Sequence, residues 1–416
     1  MAASGRSGAR GGAEGAAGEK DGRIQPRQWL ALAGLAVAAF VFNTSEFVPI
    51  GLLTDIGASF SLAEEGAAHM ISVYAWGVML MSLPLMVLAS RVGFRRLMLG
   101  LLAVFAAGQF LCAAAPTFWL LVAARLVVAA AHSVFWAVVM VVAARVVDPR
   151  ASSAAIGLVA TGSSVAQIVG MPLGRAIGLA LGWRMTFAAM GAAAVATLAY
   201  LALVFPSMGP GERFRVGQLP GLLRNGSLVA LYVVTVFLAA GQFAAYSYVE
   251  PFLLRVAGLP ARGVTLALSA FGCAGLLGSV LFSRLYDGNR RVFLAASLLG
   301  ESAVLFLLLP AAASPASMVA ALVAWGACQM GYGIAFQAVL IDFARPEEAT
   351  VAMAIYSGLY NLGIGGGTAL GGVAVARLGV ASVGVVGGAL AAAGTAVALA
   401  LLLPRMRCGR GGAGPR

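Results

Sequence analysis

Long apolar runs broken by short polar turns dominate the chain. The runs cover about 29–53, 68–89, 97–115, 118–146, 154–181 and 185–205, then 227–251, 262–283, 292–310, 316–341, 349–376 and 380–403. Each is long enough, at ~1.5 Å per helical residue, to cross ~30 Å of hydrocarbon. The one long polar stretch between runs is 206–226, PSMGPGERFRVGQLPGLLRNG. It splits twelve runs into six and six, and the halves echo each other. The second run is followed by Ser90-Arg91 and Arg95-Arg96, the eighth by Ser283-Arg284 and Arg290-Arg291, and the fifth and eleventh are both glycine-rich. Paired six-helix repeats with a site between them are a recurring transporter design.

The pattern predicts an all-α membrane protein, with twelve transmembrane helices in two six-helix, pseudo-symmetric bundles. The expected parts are a disordered tail (1–28), a first bundle (29–205), a central loop (206–226), a second bundle (227–403) and a C-terminal tail (404–416). The first apolar run is too long for a signal-peptide core and lacks a clear cleavage site, so it reads as a retained first span.

Composition agrees. The chain of 416 residues is 61% hydrophobic and 10% charged, with mean hydropathy +0.95, against roughly 25% charged residues in soluble domains. The net charge of +12 has no solvated basic domain behind it, so nucleic acid is not an expected partner; the lipid bilayer is. The basic residues cluster in alternate turns and in the tails, and the positive-inside rule then puts both termini in the cytoplasm.

Lys20 is the only lysine among 27 basic residues, which removes any Walker A site or intramembrane Schiff base. Four cysteines without paired spacing and two histidines without a Cys/His cluster offer neither a disulfide framework nor a metal site. Enzyme chemistry has little material here, and no cofactor is expected.

What remains is polar chemistry inside the spans. FNTSEFVPIGLL (42–53) carries Asn43 and Glu46 within the first run, with Pro49 one turn on. An intramembrane carboxyl marks a functional site by default. Counting helical rise, Glu46 lies roughly 11 Å below the outer end of its span and Arg125, in the fourth, roughly 12 Å. A direct ion pair is expected, either a proton switch or a static structural contact. His132 lies two turns from Arg125 on the same face, as a ligand or relay group or as a neutral packed histidine.

Gln242, Tyr246 and Glu250 share one stripe of the seventh run. The first two suit a hydroxyl-rich ligand or interhelical packing, while Glu250, ahead of Pro251, reads as a solvated helix-end carboxylate. Gln167, Gln329, Gln337, Tyr360 and Asn361 complete a candidate substrate cavity spread over both halves. Glu301, in the middle of the ninth run, has no partner that the sequence suggests. The glycines of the fifth and eleventh runs let helices approach closely whatever the function.

These residues resemble the major facilitator superfamily. Arg125 stands where that superfamily has a buried fourth-span arginine. Gly170, Pro172 and Gly174, in GMPLGR (170–175), resemble the G-P…G signature of its proton-driven, drug:proton antiporter-like exporters. Arg91, Gly93 and Arg95 resemble the D-R-x-G-R-R loop motif, with Ser90 in place of the acid and Phe94 in place of a basic residue. FNTSEFVPIGLL, YAWGVMLMSLPLM (74–86), AHSVFW (131–136), GMPLGR, GWRMTF (182–187) and AYSYVEPF (245–252) together resemble bacterial sugar efflux transporters of the arabinose-exporting type, from about residue 28 to 404. The resemblance implies inner-membrane export of sugars or sugar-like compounds, driven by the proton gradient through Glu46 and Arg125. A monomer is expected. The alternatives are a multidrug or nucleoside exporter of the same architecture, an uncoupled facilitator, and a non-transporting membrane sensor or scaffold.

Overall fold

The structure is a computed structural model that describes residues 24–406, except 90, 149–150, 210–221, 223 and 346–347. The expected tails and most of the central loop therefore lie outside the described residues. Among the described residues, twelve helices are long and apolar enough to cross a membrane. In the first half they are α1 (Pro26–Gly51), α2 (Glu64–Ala89), α3 (Phe94–Ala114), α4 (Phe118–Val146), α5 (Ala154–Leu181) and α6 (Trp183–Val204). In the second half they are α7 (Gly226–Arg255), α8 (Ala261–Leu285), α9 (Arg290–Ala311), α10 (Pro315–Phe343), α11 (Val351–Leu378) and α12 (Val380–Arg405). The first helix begins at Pro26, three residues before the apolar run, because proline at N1 needs no intrahelical donor.

The repeat is visible in local chemistry. Thr117 caps α4 by accepting from the Leu120 amide, and Ser314 caps α10 by accepting from the Ser317 amide. Gly182 ends α5 at φ 90° and Gly379 ends α11 at φ 83°, a left-handed region open to glycine at no steric cost. The first helix of each half also breaks alike, at Leu52 (φ −125°, ψ 19°) and at Tyr248 (φ −114°, ψ 13°). A short helix follows each break, Leu53–Ser59 and Val249–Arg255, and the two touch across the bundle interface. The first span thus ends at Gly51, two residues before its expected end at 53, and the chain continues as a separate short helix.

Glycine sets the packing distances. In α5, Gly170, Gly174 and Gly178 face Thr44, Val48 and Leu52 of α1. In α11, Gly363, Gly367 and Gly371 face Ala239, Ala240 and Ala244 of α7. The same two helices also cross to the other bundle, α5 against α8 and α11 against α2. A Cβ on Gly272 of α8 would stand 2.7 Å from the Gln167 carbonyl oxygen of α5, and Gly365 of α11 lies against the Trp76 indole of α2. These crossings place one cavity between the halves. Within α5, a π-helical turn at Ala166–Gly170 ends at the Gly170–Pro172 motif, and Gln167 projects from it. Such turns interrupt the regular ladder and often sit at functional sites.

Candidate functional site

A narrow, partly open cavity of about 40 Å³ lies between the bundles. Gln167 of α5, Gln242 and Tyr246 of α7, Gln329 of α10 and Tyr360 of α11 line it. The apolar part comes from Phe47, Met171, Phe243, Phe271 and Met330, with Gly272, Gly275 and Gly326 making room. Among the described residues, no charged side chain lines it.

Four expected cavity residues lie elsewhere. Asn43 donates through Nδ2 to the Ser163 hydroxyl and carbonyl, tying α1 to α5. Asn361 turns inward and donates to the Ser357 carbonyl of its own helix, 3.0 Å away. Gln337 is exposed. His132 is buried beside Glu46. Helical phase alone could not separate a residue aimed at a neighbouring helix from one aimed at the space between bundles.

Beside the cavity, at Glu46, is a second polar centre inside the first bundle. The expected direct ion pair with Arg125 is not the arrangement. Pro49 has no N–H, so the carbonyl of Ser45, four residues earlier, loses its helical partner. Arg125 Nη1 donates to that carbonyl at 3.0 Å, and its guanidinium carbon lies 3.9 Å from the centroid of the Tyr74 ring. The cation is thus held by a freed carbonyl and an aromatic face. Gln109 Nε2 donates to the Ser45 hydroxyl on the same turn. Glu46 Oε2 instead lies 3.5 Å from His132 Nε2. The Glu46 side chain is 17% exposed and that of His132 4%, so the carboxyl is the half of this pair that solvent reaches. Beneath them Phe42 stacks between Phe105 and Phe135, with centroids 4.0 Å from each.

The third feature was misread in the sequence. Glu250 is not a solvated helix-end carboxylate but 1% exposed. Its Oε1 lies 2.9 Å from Nη1 of Arg175, which is equally buried. Its Oε2 accepts from the Thr54 hydroxyl at 2.6 Å and the Thr54 amide at 3.3 Å. Arg175 also donates to the Gly51 carbonyl at the α1 break. The broken helix frees these backbone groups, and the two bundles use them to bind each other. Nearby, Arg255 holds both carboxylate oxygens of Glu64, again across the interface. Both ion pairs lie at the end of the molecule away from the chain termini.

At the terminal end, Arg95 Nη2 donates to the Ala202 carbonyl at 2.6 Å. Phe94 lies buried under Arg145, and a Cβ at Gly93 would come within 3.0 Å of the Met208 carbonyl oxygen. Arg91 is exposed. The equivalent loop of the second half does have its acids: Arg290 bridges Asp287 at 3.4 Å and Asp342 at 2.7 Å.

Comparison with known proteins agrees with this architecture. The profile of the Major Facilitator Superfamily matches residues 35–287 and again 231–411, and the chain belongs to that superfamily. It is therefore a multi-pass membrane transporter for small molecules, not an enzyme. Among solved structures it is similar to a bacterial homologue of the human lysosomal transporter Spinster in an inward-facing, occupied conformation. The TM-score is 0.67 at 16% identity, over 92% of this chain and 94% of that one. The unoccupied inward-facing form of that homologue gives 0.66 at the same identity and coverage. At this identity the likeness shows the fold alone.

Proposed function

We propose that the protein exports neutral sugars or sugar-like metabolites across the bacterial inner membrane by proton antiport, with both termini cytoplasmic. The observation that carries the substrate class is the cavity lining. Three glutamines and two tyrosines converge from both bundles beside aromatic rings, and no charged side chain among the described residues joins them. Amides and phenols donate to and accept from hydroxyls, and ring faces cover the apolar face of a sugar. Glu46 sits one residue from Phe47 of the lining and partly open to solvent, which suits a proton site next to a substrate site. Under this orientation the Glu250–Arg175 and Glu64–Arg255 contacts close the periplasmic side, and the cavity opens to the cytoplasm to load substrate.

In the exchange, protonation of Glu46 removes its negative charge from beside His132 and Arg125. The differential stability of the two open states then shifts, as coupling requires. The driving force is adequate: one charge moving across 100 mV supplies ~2.3 kcal/mol, roughly a fifty-fold gradient of a neutral solute at ~1.4 kcal/mol per tenfold.

A second reading has its own observation. Phe47, Phe243, Phe271, Met171 and Met330 are adaptable apolar surface in the same cavity. That surface suits a multidrug exporter. Counterflow of labelled L-arabinose against a lipophilic cation in proteoliposomes separates the two: sugar movement supports the first reading, and cation movement without sugar the second.

A further inference from the structure

Glu301 plays no part in the exchange described so far, yet it is a completely buried acid midway along α9. Its Oε1 accepts from Trp325 Nε1 of α10 at 2.9 Å, and its Oε2 is buried with no partner among the described residues. Among the described residues, no cation of the elements around it pairs with it: Arg290 holds Asp287 and Asp342, and Arg291 the Met406 carbonyl, at the terminal end of α9. On α12, the Val383–Val397 segment has no ionisable side chain, and Thr395 is engaged by Ser302. α10 presents Cys328 and Tyr332, and α11 presents Tyr360. The acid of α10, Asp342, is held by Arg290 at the terminal end of the helix. A carboxylate with one hydrogen bond and no counter-ion costs several kcal/mol in such a place. The neutral acid does not.

The indole is shared. Trp325 Nε1 is 2.9 Å from Glu301 Oε1 and 2.5 Å from Gln242 Oε1, and an indole has one hydrogen to give. Gln242 lines the central cavity. The two acceptors therefore compete for one donor, one deep in the second bundle and one at the substrate site.

We propose that Glu301 is a second proton-binding site, separate from Glu46, whose state is read out at the cavity through Trp325 and Gln242. This rests on reading the cavity as the substrate site. With Glu301 protonated, Gln242 shares the indole hydrogen and shows the cavity its NH₂ donors. When the carboxyl O–H breaks and the proton leaves to water, the carboxylate takes the indole hydrogen in a charge-assisted bond, roughly twice as strong as a neutral one. The Gln242 carbonyl is then free to accept from a substrate hydroxyl. The indole N–H stays intact throughout. The Gln242 carbonyl has two lone pairs, so a proton on Glu301 does not block a hydroxyl donor there but weakens it, by leaving the indole hydrogen on one of them; that antagonism is the logic of an exchanger.

The test needs no substrate. Infrared difference spectra of the intact, lipid-reconstituted protein are recorded for pH steps between roughly 3 and 9, a range that brackets carboxyl and imidazole titration. Wild type should show a carboxylic acid C=O band paired with a glutamine amide change. Glu301→Gln should lose the acid band and Glu46→Gln should keep it. Trp325→Phe should shift the acid band, and Gln242→Ala should lose the amide change. Glu301→Asp, which keeps an acid too short to hold the same indole contact, should retain a displaced band and covers the case in which the glutamine variant folds poorly. Unchanged carboxyl bands in Glu301→Gln, or an amide change indifferent to Trp325→Phe, overturn the proposal. A failure of arabinose to move would count against the sugar reading and leave these spectra unaffected.

Discussion

Glu250 and Arg175 meet at 2.9 Å across the interface between the bundles, each 1% exposed. The pair carries opposite charges from opposite halves of the chain, and the conformational change of a two-bundle transporter has to break it. Removing one partner of a buried pair costs about 3–5 kcal/mol. Glu250→Gln should therefore shift the balance away from this closed end by at least about a hundredfold, at ~1.4 kcal/mol per tenfold. Distances between spin labels on the two short helices, near Ser59 and Arg255, should lengthen in the variant. Thr54→Ala, which removes one hydrogen bond, should do so by a smaller margin, about 1 kcal/mol.

The placement of Arg125 depends on Pro49 through the Ser45 carbonyl. Lysine retains the charge but cannot lie flat on Tyr74 while reaching that carbonyl. Arg125→Lys should cut gradient-driven transport by at least about tenfold, since ~1.4 kcal/mol of misplaced transition-state interaction is enough. Pro49→Ala restores an amide to compete for Ser45 and should impair transport in the same direction while the melting temperature holds or rises. Wild-type flux in both would show that the guanidinium geometry is irrelevant.

The cavity glutamines each offer a donor and an acceptor to a substrate hydroxyl. Single alanine substitutions at Gln167, Gln242 or Gln329 should each cost about 1 kcal/mol, or roughly fivefold in apparent sugar affinity. Gln337→Ala, outside the cavity, should have no effect on affinity. Counterflow at graded sugar concentration reads both.

Close backbone crossing at Gly272 is what lets α8 meet α5. Valine there would push on the Gln167 carbonyl, which is backbone and cannot step aside. Gly272→Val should fold, because each bundle's own packing is untouched, but should lose transport through failure to close the end away from the termini. Labelling of cysteines placed at Thr54 and Glu64 should rise accordingly.

Much of this was legible in the sequence. The twelve runs, the split at 206–226 and the paired glycine helices follow from local composition and repeat, which a single chain displays openly. Gln167, Tyr246 and Tyr360 were legible as polar groups in apolar spans. The partners were not. Glu250 meets Arg175 from 75 residues away and Thr54 from 196, and helical periodicity within one span says nothing about which neighbour a side chain faces. Trp325 reads in the sequence as packing in an apolar run, although its single N–H must find an acceptor when buried; Glu301, one helix earlier, and Gln242 are those acceptors. The Glu46–Arg125 pair failed for a related reason: equal depth was legible, but the carbonyl freed by Pro49 competes for the guanidinium.

The most direct test of the central claim is flux in proteoliposomes under an imposed pH gradient, with labelled L-arabinose inside or outside, in wild type and in Glu46→Gln. The account predicts uphill sugar movement against the proton flow in wild type, and in Glu46→Gln only downhill counterflow. Uphill movement that persists in Glu46→Gln at the wild-type rate, or no sugar movement in wild type at all, would contradict it.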